Sequence, residues 1–128
     1  MVNRMLHGKH SARGDRRDRG QASIEFAGVL FILLIAGLAA IQLGLVAYSI
    51  QQAGTASRAA ARAASQHDVE WEQVGQSSMS DWLANGTDFE RTFPGTGEVE
   101  VEAKVEVPSI IPIFDFDDAK RSTTMPTD

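Results

Sequence analysis

The sequence predicts an α+β protein: a long N-terminal membrane-spanning helix, then a second helix and a small antiparallel β-sheet. Three observations carry this. Residues 27–50 are almost wholly apolar, with Gln42, Tyr48 and Ser49 as the clear polar interruptions. An alanine-rich run follows to Ser65, and alanine is the best helix former. Residues 98–107 then alternate strictly, valines and Ala103 on one side and Glu98, Glu100, Glu102, Lys104 and Glu106 on the other, which is the period of a half-buried strand.

The apolar stretch comes first. About 20 apolar residues span a bilayer core as a helix, and this run exceeds that length. It is longer than the ~7–15-residue core of a secretory signal, and no small-x-small cleavage site followed by a composition break appears until well past Ile50. Arg16-Arg17 precedes Asp-Arg-Gly rather than apolar residues, so a twin-arginine signal is set aside. The flanking charge is asymmetric. Residues 1–20 carry six basic and two acidic side chains, while residues 51–128 carry six basic and fourteen acidic ones, with an overall charge of −5. The positive-inside rule keeps the basic leader cytoplasmic and places the C-terminus outside, in the extracytoplasmic space. The acidic distal region argues against nucleic-acid binding.

The helix is expected to continue from about Ala22 to Ser65, with Gly54 as a flex point. Ala36, Ala40 and Gly44 recur every four residues, with Gly37 beside them. Such small-residue stripes let helix backbones approach closely in lipid. Gln42 either adds a hydrogen bond to another helix or is simply tolerated. Higher up, Ala56, Ala59, Ala60, Ala63 and Ala64 form a small face, and Arg58 and Arg62 share another.

His67-Asp68 breaks the alanine run, and Asp68 reads as the N-cap of a second helix over residues 69–84. Trp71, Val74, Met79, Trp82 and Leu83 fall roughly on one face of it, read as packing on the first helix or the sheet rather than as a ligand platform or an interfacial belt of tryptophans. Asn85-Gly86 is a turn. A strand over 87–93 follows, with Phe89 and Phe93 on one side, then the turn Pro94-Gly95-Thr96-Gly97 and the alternating strand. Residues 122–125 supply a third strand, because two alone are marginal. Pro108 and Pro112 bracket an irregular apolar stretch with Ile110, Ile111, Ile113 and Phe114.

No catalytic constellation is present, and the chain is read as not an enzyme. There is no cysteine, so disulfides, thiolate metal sites and a cysteine nucleophile are excluded. His7 and His10 lie in the leader. His67 stands alone beside Asp68 as a helix-end residue. No phosphate loop, triad or metal-ligand spacing is seen, and no cofactor is expected. Asp115, Asp117 and Asp118 lack EF-hand spacing and its glycine, so they read as a solvated acidic loop.

One carboxylate needs a reason. Glu25 stands at the edge of the apolar run, where a charge is costly and usually functional. It lies five residues past Gly20, and Phe26 follows it. Gly20, Gln21, Glu25 and Phe26, with the alanine-rich helix after them, resemble the processing site of type IVb (Flp/Tad) prepilins. Over residues 16–65 the chain resembles the TadE family of minor pseudopilins. The resemblance implies cleavage by a prepilin peptidase between Gly20 and Gln21, with Glu25 neutralising the N-terminal amine of a neighbouring subunit. The stripe of Ala36, Gly37, Ala40 and Gly44 is then a helix-packing surface against other pilus subunits.

The same resemblance implies a division of the chain. Residues 1–20 form a basic leader, 21–66 the transmembrane and extended helix, and 67–128 a small extracytoplasmic head. It also implies the inner membrane as location. Its partners would be the peptidase, a sister TadF-like pseudopilin and an inner-membrane assembly platform driven by a cytoplasmic ATPase. Two other classes remain open: an uncleaved signal-anchored surface domain unrelated to pili, and a small secreted enzyme or inhibitor cut near or after Ile50.

Overall fold

The computed structural model describes residues 13–127. The leader's first twelve residues, with His7 and His10, lie outside the described residues. In chain order the elements are α1 (Arg13–Ser65), α2 (Trp71–Ser77), α3 (Asp81–Ala84), β1 (Thr87–Thr92), β2 (Glu98–Val105) and β3 (Ala119–Pro126). The three strands form one antiparallel sheet in the order β1-β2-β3. The α+β architecture with a long apolar first helix is therefore the observed one.

The chain divides into two compact units, one ending at Gly37 and the other spanning Leu38–Asp128. In the first, α1 begins at Arg13 rather than near Ala22, so it includes Gly20 and Gln21. Its apolar side chains stand in the open: Ile24, Phe26, Phe31, Ile32 and Leu33 are all more than three-fifths exposed.

In the second unit the upper part of α1 lies under the sheet. Ala53, Ala56, Ala60 and Ala61 are fully buried, and Ala63 and Ala64 nearly so. Small side chains let the sheet approach the helix backbone. Facing them, Val99, Val101, Ala103 and Val105 are fully buried, and Val107 is nearly so. Each buried valine contributes about 1.5–3 kcal/mol, so this strand is the main apolar investment of the head. The core falls into two clusters. One joins Ala53 and Ala56 to Met79, Leu83, Val105 and Ala119, and the other joins Ala60 and Ala64 to Trp71, Val99 and Val101.

Several local expectations change. Gly54 is not a flex point, since α1 runs through it and its carbonyl accepts bonds from Ser57 Oγ and Arg58 Nε. The second helix is two short ones. Ser77 and Ser78 turn their hydroxyls back onto the carbonyls of Val74 and Gly75, local bonds that compete with helix continuation. Gln52 Oε1 of α1 then captures the Ser80 amide at 3.0 Å. Asp68 does not cap α2; its carboxylate accepts from the Glu70 amide in a local turn.

The end of α1 is closed by a Schellman pair, His67 N–H to Ala64 O and Asp68 N–H to Ala63 O, with His67 at φ 62. Phe93 lies just past β1 and is exposed, whereas Phe89 is half-buried against the core. β3 is twice the expected length, pairing with all of β2 from Glu98↔Pro126 to Val105↔Ala119.

Candidate functional site

Gly20, Gln21, Glu25 and Phe26 lie on successive turns of α1 and are all exposed. Gln21 Nε2 donates to Glu25 Oε1 at 3.4 Å, an i,i+4 contact along the helix. Ser23 Oγ donates to the Arg19 carbonyl at 2.9 Å. Because α1 starts at Arg13, Glu25 sits about three turns inside it, beyond the first turn where the helix dipole favours a carboxylate. Dipole stabilisation therefore does not account for this charge in the full chain. Cutting after Gly20 would leave Glu25 one turn from a new helix start.

Ala36, Gly37, Ala40 and Gly44 are exposed, and a Cβ added at Gly37 or Gly44 would meet nothing within 4 Å. The stripe is thus open for a neighbour along its whole length.

Gln42 behaves differently from the sequence expectation. It is 2% exposed, and its amide is used at both ends: Nε2 donates to the Pro108 carbonyl at 3.1 Å and Oε1 accepts from the Ile110 amide at 3.0 Å. Its partner is therefore the chain's own loop after β2, not a second helix. Val46 and Ile50 pack on the core, and Ser49 is fully buried with its hydroxyl unpartnered. Tyr48 bonds the Ser80 hydroxyl and stacks on Trp82 at 5.8 Å between ring centroids. The head thus claims α1 from Gln42 upward. The bare apolar stretch is residues 24–41, about 27 Å of helix, close to a hydrocarbon core of ~30 Å. That places the span lower than the expected 27–50, and puts Glu25 within its first turn.

The two tryptophans are both packing residues, in different ways. Trp71 is buried, edge-on to Phe89, with the Arg91 guanidinium 5.1 Å from its ring. Trp82 keeps half its surface exposed while covering Tyr48.

The charged sheet face is solvated. Lys104 lies 3.1 Å from Glu90 and 3.6 Å from Glu102. The hydrogen bond and charge of Glu90 hold its ammonium above the ordinary lysine value, with Glu102 adding to them. Asp88, Lys104, Glu106, Asp115 and Asp118 rim an open depression of about 500 Å³. Among the described residues no three His, Asp or Glu side chains are grouped to hold a metal ion.

One helix among the described residues is long and apolar enough to cross a membrane, and it carries a small α+β head. That combination is a single-pass membrane protein. Residues 20–62 match the family model described as TadE-like protein, so this segment is similar to that family. The match runs from Gly20 through Glu25, Phe26 and the small-residue stripe into the alanine run. No curated protein and no solved structure matches the chain.

Sequence reasoning missed the role of Gln42. Its signal was a lone amide in an apolar run. The identity of its partner, 66 and 68 residues away, had no sequence signature.

Proposed function

We propose that this chain is a minor pseudopilin of a Flp/Tad-type pilus: a non-enzymatic, membrane-anchored structural or assembly subunit, cut by a prepilin peptidase between Gly20 and Gln21. The observation that carries this is the joint placement of Gly20, Glu25 and Phe26, all exposed, at the start of the TadE-like segment, where the contact given for Glu25 is the 3.4 Å bond from Gln21 on its own helix. The mature α-amine on Gln21 would lie one turn from Glu25. Burying either charge alone in lipid is expensive, and pairing them across neighbouring subunits offsets that cost. Cyclisation of Gln21 to pyroglutamate would remove the amine and this pairing with it.

The protein resides in the inner membrane with its leader in the cytoplasm and its head outside, as the leader's basic charge favours. Its partners are the peptidase, a TadF-like sister subunit and the assembly platform. The open stripe of Ala36, Gly37, Ala40 and Gly44 serves subunit packing.

A second reading, an uncleaved anchored surface domain, draws on the helical state of the Gly20–Gln21 bond, which a peptidase would have to unwind. Intact-mass analysis of membrane-extracted protein, with and without co-expressed prepilin peptidase, separates the two. A start at Gln21 with a free amine is expected, and is lost on substitution of Gly20. Glu25→Ala is expected to be cut yet to fail in fibre production. An uncut chain in the presence of active peptidase overturns the proposal.

A further inference from the structure

Residues 108–116 carry a surface that the pilin reading does not use. Loops are normally polar on their outer face. Here Ile113 is 85% exposed, Phe114 56%, Ile110 43% and Phe116 37%. The turn is nevertheless built rather than loose. Ser109 Oγ lies 2.8 Å from both the Ile111 and Phe114 carbonyls and donates its proton between them, and the Phe114 amide donates to the Ile111 carbonyl at 3.1 Å. The Ile111 and Phe114 carbonyls and the Phe114 amide are thus bonded within the turn while the large apolar side chains stand outward.

Gln42 sets where this turn lies. It holds Pro108 and Ile110 against α1 at the level where the helix's exposed apolar surface ends, with Ile41 and Leu43 open on either side of it. Tyr48 and Trp82 stack about 9 Å further along α1, at the distance from the apolar edge where aromatic rings favour headgroups. Trp82 shares a cleft with Pro108. Asp115, Asp117 and Asp118 follow the apolar tip and are exposed, and residues 108–118 contain no lysine or arginine. Charge attraction to anionic lipid is therefore not the driving force, and the aspartates limit the depth of entry.

We infer that residues 110–116 form a second, interfacial membrane anchor: Ile113 and Phe114 seat in the acyl boundary of the leaflet from which α1 emerges. The occupant of this patch is lipid, because Gln42 ties the turn to α1 between the exposed apolar side chains of Ile41 and Leu43. The inference rests on α1 crossing the bilayer but not on the pilin role. It fixes the head against the membrane surface at two points instead of one.

The chain has no cysteine, so Ile113→Cys in the full chain takes a single environment-sensitive nitrobenzoxadiazole label. The labelled protein is placed in phosphatidylcholine vesicles with and without a doxyl-labelled phosphatidylcholine. The label is expected to shift to shorter wavelength and to lose about half its emission to the doxyl lipid, as for a side chain in the acyl boundary. A label at Thr96→Cys, in the exposed turn before β2, should keep its emission. Quenching that persists as protein is diluted in lipid supports the anchor. A shift that fades on dilution, without doxyl quenching, means a second protein copy covers the patch and overturns it. A label at 113 as wet as one at 96, on protein that floats with the vesicles, overturns the anchor alone. Failure to float overturns the membrane span with it.

Discussion

The two halves of α1 solve opposite problems with the same backbone. Residues 24–41 carry the large apolar side chains Ile24, Phe26, Phe31, Ile32, Leu33 and Leu34, which stand uncovered; residues 42–65 are rich in alanine and small polar groups, and the sheet lies against them. In lipid, bulk is harmless and supplies the apolar surface that holds a helix in place. Under a sheet, bulk would push the strands away, so the helix face is reduced to methyl groups and the valines of β2 fill the gap. Side-chain size, not helix propensity, therefore distinguishes the halves.

The sharpest way to break this contrast is to put the same large residue into each half. Ala60→Leu inserts three carbons where Ala60 is fully buried and Gly75 is packed close by. Overpacking of this kind should cost about 3 kcal/mol, seen as a lower melting temperature in the near-ultraviolet dichroism of Trp71 in detergent. Ala36→Leu, on the exposed stripe, should leave that melt unchanged. Equal effects at both positions would abolish the distinction.

A second test probes the approach from the other side. A Cβ at Gly75 would lie 2.7 Å from the Phe89 ring and 3.0 Å from Ala60 Cβ. Gly75→Ala is expected to destabilise the head by about 2 kcal/mol, whereas Gly37→Ala, with nothing within 4 Å, should not. The comparison is measured by denaturant unfolding of the two variants.

A smaller effect, of opposite sign, is expected where the packed half ends. His67 occupies the left-handed position of the Schellman motif at φ 62. His67→Gly should stabilise the head by about 1 kcal/mol, because glycine adopts that conformation without a steric penalty. A fall in melting temperature would mean the imidazole makes a contribution the geometry does not reveal.

The smallest effect concerns the solvated face of the sheet. Glu90, chiefly through its hydrogen bond, raises the Lys104 pKa in the folded state. That contribution is present at neutral pH and is lost as pH rises through the raised lysine value. Lys104→Met should flatten the high-pH end of the stability profile and change little at pH 7, in keeping with an exposed ion pair. Its loss at high salt would be a further check.

Much of this contrast was legible from residues alone. The alanine face and the alternation of β2 each follow from one periodicity; Ala56, Ala60, Ala63 and Ala64 are buried as expected while Ala59 is half-buried, and the uncovered apolar block lies lower than residues 27–50. β3 was legible only at residues 122–125. Lys120 and Arg121 are both exposed on this edge strand, so no apolar alternation marks its start. The border between the halves was not legible. Gln42 reads as an interruption of a lipid-facing run, and only the distant Pro108 and Ile110 turn it into a latch. The spacing of Gly20, Glu25 and Phe26 was readable because it is local, but the helical state of the Gly20–Gln21 bond was not.

The alanine face also bears on the order in which the chain is made. Synthesis delivers α1 first, and the valines that cover its upper half arrive only after β2 has been synthesised. During that interval the helix waits with its core-facing side bare. Methyl groups offer little for a stray chain to grip, so a half-made molecule stays safe from its neighbours until its own strands come down on it.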